Sequence, residues 1–152
     1  MQVVKEAMDE YFATDIMKDQ VVTVDSSATA MDAAKKMTQE NIGCVVVMEG
    51  DGPVGILTER DFVRKIVANK MSLSTPVKDI MSAPLISIDP DSTIWELAEL
   101  MKIKKIHKVP VIRENKLIGI VTTADITRLC SIGSDSGIRQ ICQQILSRLH
   151  QS

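Results

Sequence analysis

At 152 residues, 45% of them hydrophobic, the chain is long enough to bury a core in one compact body. A formal net charge of −2 and a pI near 5.7 exclude a strong field for a phosphate backbone. No apolar run reaches the ~18 residues of a membrane span, and no charged-then-apolar leader opens the sequence, so a soluble cytoplasmic protein is expected.

In chain order, residues 1–12 set Val4, Ala7, Met8 and Tyr11 at three- and four-residue spacing, which predicts a short amphipathic lead-in helix. From residue 13 one script runs twice. Residues 13–66 lie over 77–130 at a fixed offset of 64 without a gap, and 15 of the 54 aligned positions are identical. Each copy opens on Asp-Ile-Met and a β-branched run (Val21–Val24; Leu85–Ile88), read as a strand. Asp25-Ser26-Ser27 and Asp89-Pro90-Asp91-Ser92 then form a turn with a helix cap. The predicted helices carry Ala30, Ala33, Ala34 and Met37, or Ile94, Leu97, Ala98 and Met101.

A hairpin is predicted next. Cys44–Met48 and Val54–Leu57 flank Glu49-Gly50-Asp51-Gly52, and Val109–Ile112 and Leu117–Val121 flank Arg113-Glu114-Asn115-Lys116. Pro110 puts its strand at an edge or at a strand start. A last helix begins at Thr-x-x-Asp in each copy and runs through Phe62, Val63, Ile66 and Val67, or Ile126 and Leu129. Ile138, Ile141, Cys142, Ile145 and Leu149 predict a carboxy-terminal amphipathic helix for packing on its own domain or on a twin subunit. The expected organisation is a lead-in (1–12), repeat 1 (13–68), a linker (69–76), repeat 2 (77–130) and a loop with helix (131–152). Each repeat alone is marginal in size, so the pair is the expected folding unit.

Most recurring identities are apolar, but Gly-Ile-x-Thr-x-x-Asp recurs without a packing requirement, at Gly55–Asp61 and Gly119–Asp125. A strand running into a helix start favours an anion at the unpaired N–H groups. The Thr hydroxyl can donate to a phosphate oxygen, and a carboxylate one turn on can accept from a ribose 2′,3′-diol. The same residues also fit plain helix caps. Cys44, Cys130 and Cys142 lack C-x-x-C spacing and are read as buried thiols. His150 is read as a surface residue, and no metal site, prosthetic group or catalytic residue is expected. Nucleophile–base, H-E-x-x-H and phosphate-loop signatures are all missing.

The doubled D-I-M, I-x-x-V/P-V and G-I-[LV]-T-x-x-D pattern resembles the tandem cystathionine-β-synthase (CBS) domain pair, or Bateman module, over roughly residues 8–130. The resemblance implies an α+β fold of two βαββα units related by a pseudo-two-fold axis, here with short terminal helices. It also implies two clefts for adenosine-type ligands (AMP, ADP, ATP or S-adenosylmethionine), a homodimer and a regulatory action on a partner protein. In that pattern Asp61 and Asp125 hold ribose, with Thr58 and Thr122 near the phosphate. The adenine slot is implied to come from Met81, Ile86 and Ile106 at the Asp61 cleft, and from Met17, Val22 and Ile42 at the Asp125 cleft.

Ile106-His107-Lys108-Val109-Pro110-Val111 is similar to a segment of the AMP-activated kinase γ subunit in which a His meets phosphate. His107 and Arg60 are therefore expected at the Asp61 cleft. The other cleft has Thr122 and Thr123, with Gly43 where a His could stand. Two alternatives stand beside the nucleotide sensor: a dimerising scaffold with empty clefts, and an RNA-binding protein. Against the latter are the acidic balance and only one Trp, one Tyr and two Phe for base stacking.

Overall fold

The computed structural model describes residues 10–132, together with Gln143 and Ser147. In chain order these form helix α1 (Ala13–Ile16), strand β1 (Thr23–Asp25), helix α2 (Ala30–Glu40), strands β2 (Cys44–Glu49) and β3 (Gly52–Thr58), and helix α3 (Glu59–Asp61), which continues as a π-wound stretch at Phe62–Val67. A 3-10 turn at Val77–Asp79 precedes α4 (Ile94–Lys104), β4 (Lys108–Arg113), β5 (Lys116–Thr122) and α5 (Thr123–Ile132). The lead-in helix falls almost wholly outside the described residues. The carboxy-terminal helix and His150 do too, although Gln143 and Ser147 are helical and exposed. The chain forms two compact bodies that do not follow the sequence copies: residues 21–86 with 114–117, and residues 1–20, 87–113 and 118–152.

In the first body β2 pairs in parallel with β1 and antiparallel with β3. As the central strand it buries Val45, Val46 and Val47 in succession, which explains a continuous apolar run in place of alternation. Helix α2 starts where the Thr29 hydroxyl accepts the Asp32 N–H (3.1 Å) and Asp32 accepts the Thr29 N–H (3.2 Å). That reciprocal cap contributes about 1 kcal/mol. Its remaining amino-terminal donors are met by the linker, since Ala30 and Met31 donate to the carbonyls of Thr75 and Leu73. Ala30, Ala33 and Met37 then pack on Val45, Val47, Leu57, Ile66, Val77 and Ile80. The helix ends at Asn41, which takes the left-handed conformation Asn tolerates (φ 53°). Two surface carboxyls of this body lie below the usual range. Asp25 accepts from the Ser27 hydroxyl and N–H, and Asp32 accepts from the Thr29 N–H.

The second body repeats the plan with one loss. Ile94, Leu97, Ala98 and Met101 of α4 pack with Val109, Val111, Val121, Ile126 and Ala13. The strand expected at Leu85–Ile88 is reduced to a single parallel bridge, Ile88 to Val111. In the first copy the ladder includes Val46 N–H to Val22 O at 3.1 Å. Pro110 stands in the place of Val46 and has no N–H to give, so the ladder stops there. One thiol also departs from expectation. Cys44 is half-buried at the start of β2, while the Cys130 side chain and Cys142 lie outside the described residues.

Candidate functional site

In the first body β3 delivers Thr58 to the start of α3, and Asp61 follows one turn later. Asp61 Oδ2 accepts the Thr58 N–H at 2.9 Å and the Thr58 hydroxyl at 3.2 Å. Its other oxygen, Oδ1, lies 3.0 Å from Lys65 Nζ. In the second body Asp125 Oδ2 accepts the Thr122 N–H at 2.8 Å and hydroxyl at 3.1 Å, and Oδ1 meets Arg128 Nη2 at 2.7 Å. Both carboxylates are buried, Asp61 at 7% and Asp125 at 1% exposure. They are the only buried charged residues among those described. Burial on this scale requires partners, and each carboxylate has three.

The cap reading and the ligand reading of Thr-x-x-Asp therefore meet in the same atoms. A carboxylate has about four acceptor positions. With an amide, a hydroxyl and a cation in place, each Asp keeps about one open. A diol needs two, so one occupant must turn away for a ribose to be held. The Thr hydroxyl is the cheapest to move, being a rotor that can find another acceptor.

The glycine of each motif has a tertiary reason. A Cβ on Gly55 would stand 2.5 Å from Met81 Sδ and 3.0 Å from the Ser82 carbonyl oxygen. One on Gly119 would stand 2.4 Å from Met17 Sδ and 3.0 Å from the Lys18 carbonyl oxygen. Antiparallel bridges Ile56–Ser82 and Lys18–Ile120 hold the chains this close. Each Asp-Ile-Met segment thus lies on the hairpin of the other sequence copy.

The first body contains Thr58, Arg60, Asp61, Met81 and Ile86, and also Val22, Ile42 and Gly43. The second contains Met17, Ile106, His107, Thr122, Thr123 and Asp125. The six apolar residues expected to line adenine are all half-buried. Arg60 and His107 are exposed. Within its own body His107 sits beside the Thr-x-x-Asp turn, its carbonyl accepting the Thr123 N–H at 3.0 Å, just as Gly43 accepts from Glu59 at 3.1 Å.

Sequence reasoning missed the cations. Arg64 and Arg128 are aligned and identical, yet the partner of Asp61 is Lys65, because the helix widens to π there and Ala68 donates to Val63 rather than Arg64. It also missed a concavity of about 680 Å³ in the first body, lined by Ala34, Met37, Ile42, Gly43, Phe62 and Val63 among others. Among the described residues no His, Cys, Asp or Glu cluster could hold a metal, and no helix is long and apolar enough to cross a membrane.

A twice-repeated strand–turn–helix with a buried Thr–Asp pair defines a tandem module built by duplication. Residues 13–68 and 77–132 each match the model of the CBS domain, and the chain belongs to that family. It is similar to the CBS domain-containing protein YhcV of Bacillus subtilis, 32% identical over 86% of this chain and 94% of that protein. A Methanopyrus kandleri protein is 39% identical over 76% of this chain, which spans 60% of that relative's length. Among solved structures, the CBS domain pair of protein MJ0100 in complex with 5′-methylthioadenosine and S-adenosyl-L-methionine shares 29% identity and a TM-score of 0.72. That match covers 79% of this chain and 95% of the other.

Proposed function

We propose that this chain is a non-catalytic regulatory module that binds an adenosine nucleotide of the AMP, ADP or ATP type and passes its occupancy to a partner protein. The observation that carries the reading is the doubled buried carboxylate, each held by a Thr amide and hydroxyl at the end of a strand whose glycine packs against a half-buried methionine. Asp61 and Asp125 take the ribose diol. Thr58 and Thr122 release their Asp and donate to phosphate, and Met81 and Met17 face the adenine. Arg60 adds charge at the Asp61 site, and Thr123 a hydroxyl at the other. The complex of a similar CBS pair with two adenosine-containing ligands supports the ligand class.

A thermal-shift series with AMP, ADP, ATP, S-adenosylmethionine and their guanosine counterparts tests this. Ligand at about 100 times its dissociation constant stabilises by about 2.7 kcal/mol, which raises the melting temperature by about 5–10 °C. No shift with any adenosine compound at millimolar concentration refutes it.

A scaffold reading has its own observation. Val63 and Val67, on one helical stretch, are 62% and 70% exposed. On either reading we propose a homodimer of about 33 kDa, twice 16.7 kDa. A monomer mass by light scattering at about 100 μM counts against the dimer, and Val63→Asp is expected to weaken it.

A further inference from the structure

Lys65 makes a second contact that a simple ion pair does not call for. Its ammonium donates to the Ile80 carbonyl oxygen at 2.7 Å while lying 3.0 Å from Asp61 Oδ1. Ile80 closes the turn Val77–Asp79, where its own N–H and that of Met81 already donate to Val77. The next residue is Met81, whose sulfur lies against Gly55. One charged group therefore joins the buried carboxylate to the segment carrying the methionine. The residue aligned with Lys65 in the second copy is Leu129, and there the cation on the buried carboxylate comes from Arg128.

We infer that Lys65 is a positioning residue of the Asp61 site, fixing the Met81 wall relative to the carboxylate that takes the ribose. This rests on the nucleotide reading given above. An exposed i,i+4 pair alone is worth little. Here the carboxylate is buried and the ammonium satisfies a turn-end carbonyl as well, so both ends lose a partner together if Lys65 is removed. The π-wound turn supplies the geometry, since the aligned Arg64 is exposed while Lys65 is half-buried.

The test uses the full chain with Lys65→Met, which keeps the apolar stem, and Lys65→Arg, which keeps the charge. Calorimetry with AMP is expected to show about ten-fold weaker binding for Lys65→Met and a loss within about three-fold for Lys65→Arg. Without ligand, amide exchange at Met81 and Ser82 is expected to quicken about ten-fold in Lys65→Met, with the Val46 amide unchanged. Wild-type affinity in Lys65→Met, or equal losses in both variants, overturns the inference. If the wild type binds no adenosine compound, the nucleotide reading falls and the ligand role of Lys65 falls with it. Exchange at Met81 and Ser82 then reports the tie separately: quickened exchange supports it, and unchanged exchange overturns it.

Discussion

Thr58→Val isolates the acceptor count at Asp61. The variant keeps the shape and the backbone N–H bond of 2.9 Å, and deletes only the hydroxyl that lies 3.2 Å from Oδ2. In the ligand-free protein this removes one hydrogen bond to a charged group. That bond is longer than the ~2.5–3.0 Å usual for O–H···O, so no more than about 1 kcal/mol is expected, or a fall in melting temperature of up to about 3 °C. The ligand response is the sharper readout. AMP gives the departing hydroxyl a phosphate oxygen to turn to, whereas adenosine does not. In the wild type adenosine must therefore break the Thr58–Asp61 bond without replacement, or leave one ribose hydroxyl unmet. In Thr58→Val the second acceptor position is always open. AMP should then bind about ten-fold more weakly, having lost a bond worth about 1.5 kcal/mol. Adenosine should bind as before or up to about five-fold tighter. Titration calorimetry of both ligands on both proteins makes the comparison. Equal weakening of AMP and adenosine, or no change in either, refutes the exchange of partners.

Asp61→Ala should weaken AMP by about ten-fold or more, with Arg60→Ala losing affinity for AMP but much less for adenosine. Asp125→Ala should remove only a weaker second event; calorimetry with the tight event lost in Asp125→Ala instead reverses the assignment of the two sites. Gly55→Ala puts a carbon 2.5 Å from Met81 Sδ and should cost about 1–3 kcal/mol in chemical denaturation. Shortening the neighbour as well, in Gly55→Ala with Met81→Ala, should make the glycine change cheaper, the contact with the Ser82 carbonyl oxygen at 3.0 Å remaining. Asp25 and Asp32 have folded pKa values below the ordinary 3.8. Their contribution to stability is thus complete above about pH 4 and is lost as pH falls through the folded values. Asp25→Asn with Asp32→Asn should flatten the acid limb of melting temperature against pH, leaving the slope between pH 5 and 7 unchanged.

What could be read in the sequence was local or periodic. The Thr58–Asp61 and Thr122–Asp125 pairs span three residues and recur, so their contact follows from helix geometry alone. The core face of α2 was periodic and equally legible, whereas its cap was expected at Asp25-Ser26-Ser27 and stands at Thr29, where the reciprocal bonds with Asp32 form. Three features escaped because they depend on who meets whom in space. Pro110 could be placed at an edge, but its cost to the Leu85–Ile88 strand appears only against the Val46 rung it replaces. The cation at Asp61 could not be read from the aligned Arg64, because six residues of helix carry no signal separating a π turn from an α turn. The destination of Asp-Ile-Met was not in the residues themselves, and only the family resemblance set Met81 at the Asp61 cleft and Met17 at the Asp125 cleft. Two matching copies offer each segment two equivalent hairpins, and composition does not choose between them. The recurring glycine signalled a close approach without naming the visitor.

That choice of hairpin has a consequence for the chain as a polymer. Met17 opens the first copy yet lies on Gly119 of the second, and Met81 opens the second yet lies on Gly55 of the first. The exchange is reciprocal, so neither copy is self-sufficient. A fragment ending at residue 68 would lose the Met81 that covers Gly55, and one beginning at residue 82 would carry neither methionine. A fragment of residues 70–152 keeps Met81 and Gly119 but loses the native partner of each, and an exchange with an identical chain is one way to pair them. Joined in one gene product, the two copies make that trade intramolecular, and the linker from Asn69 to Pro76 converts a concentration-dependent assembly into a unimolecular one.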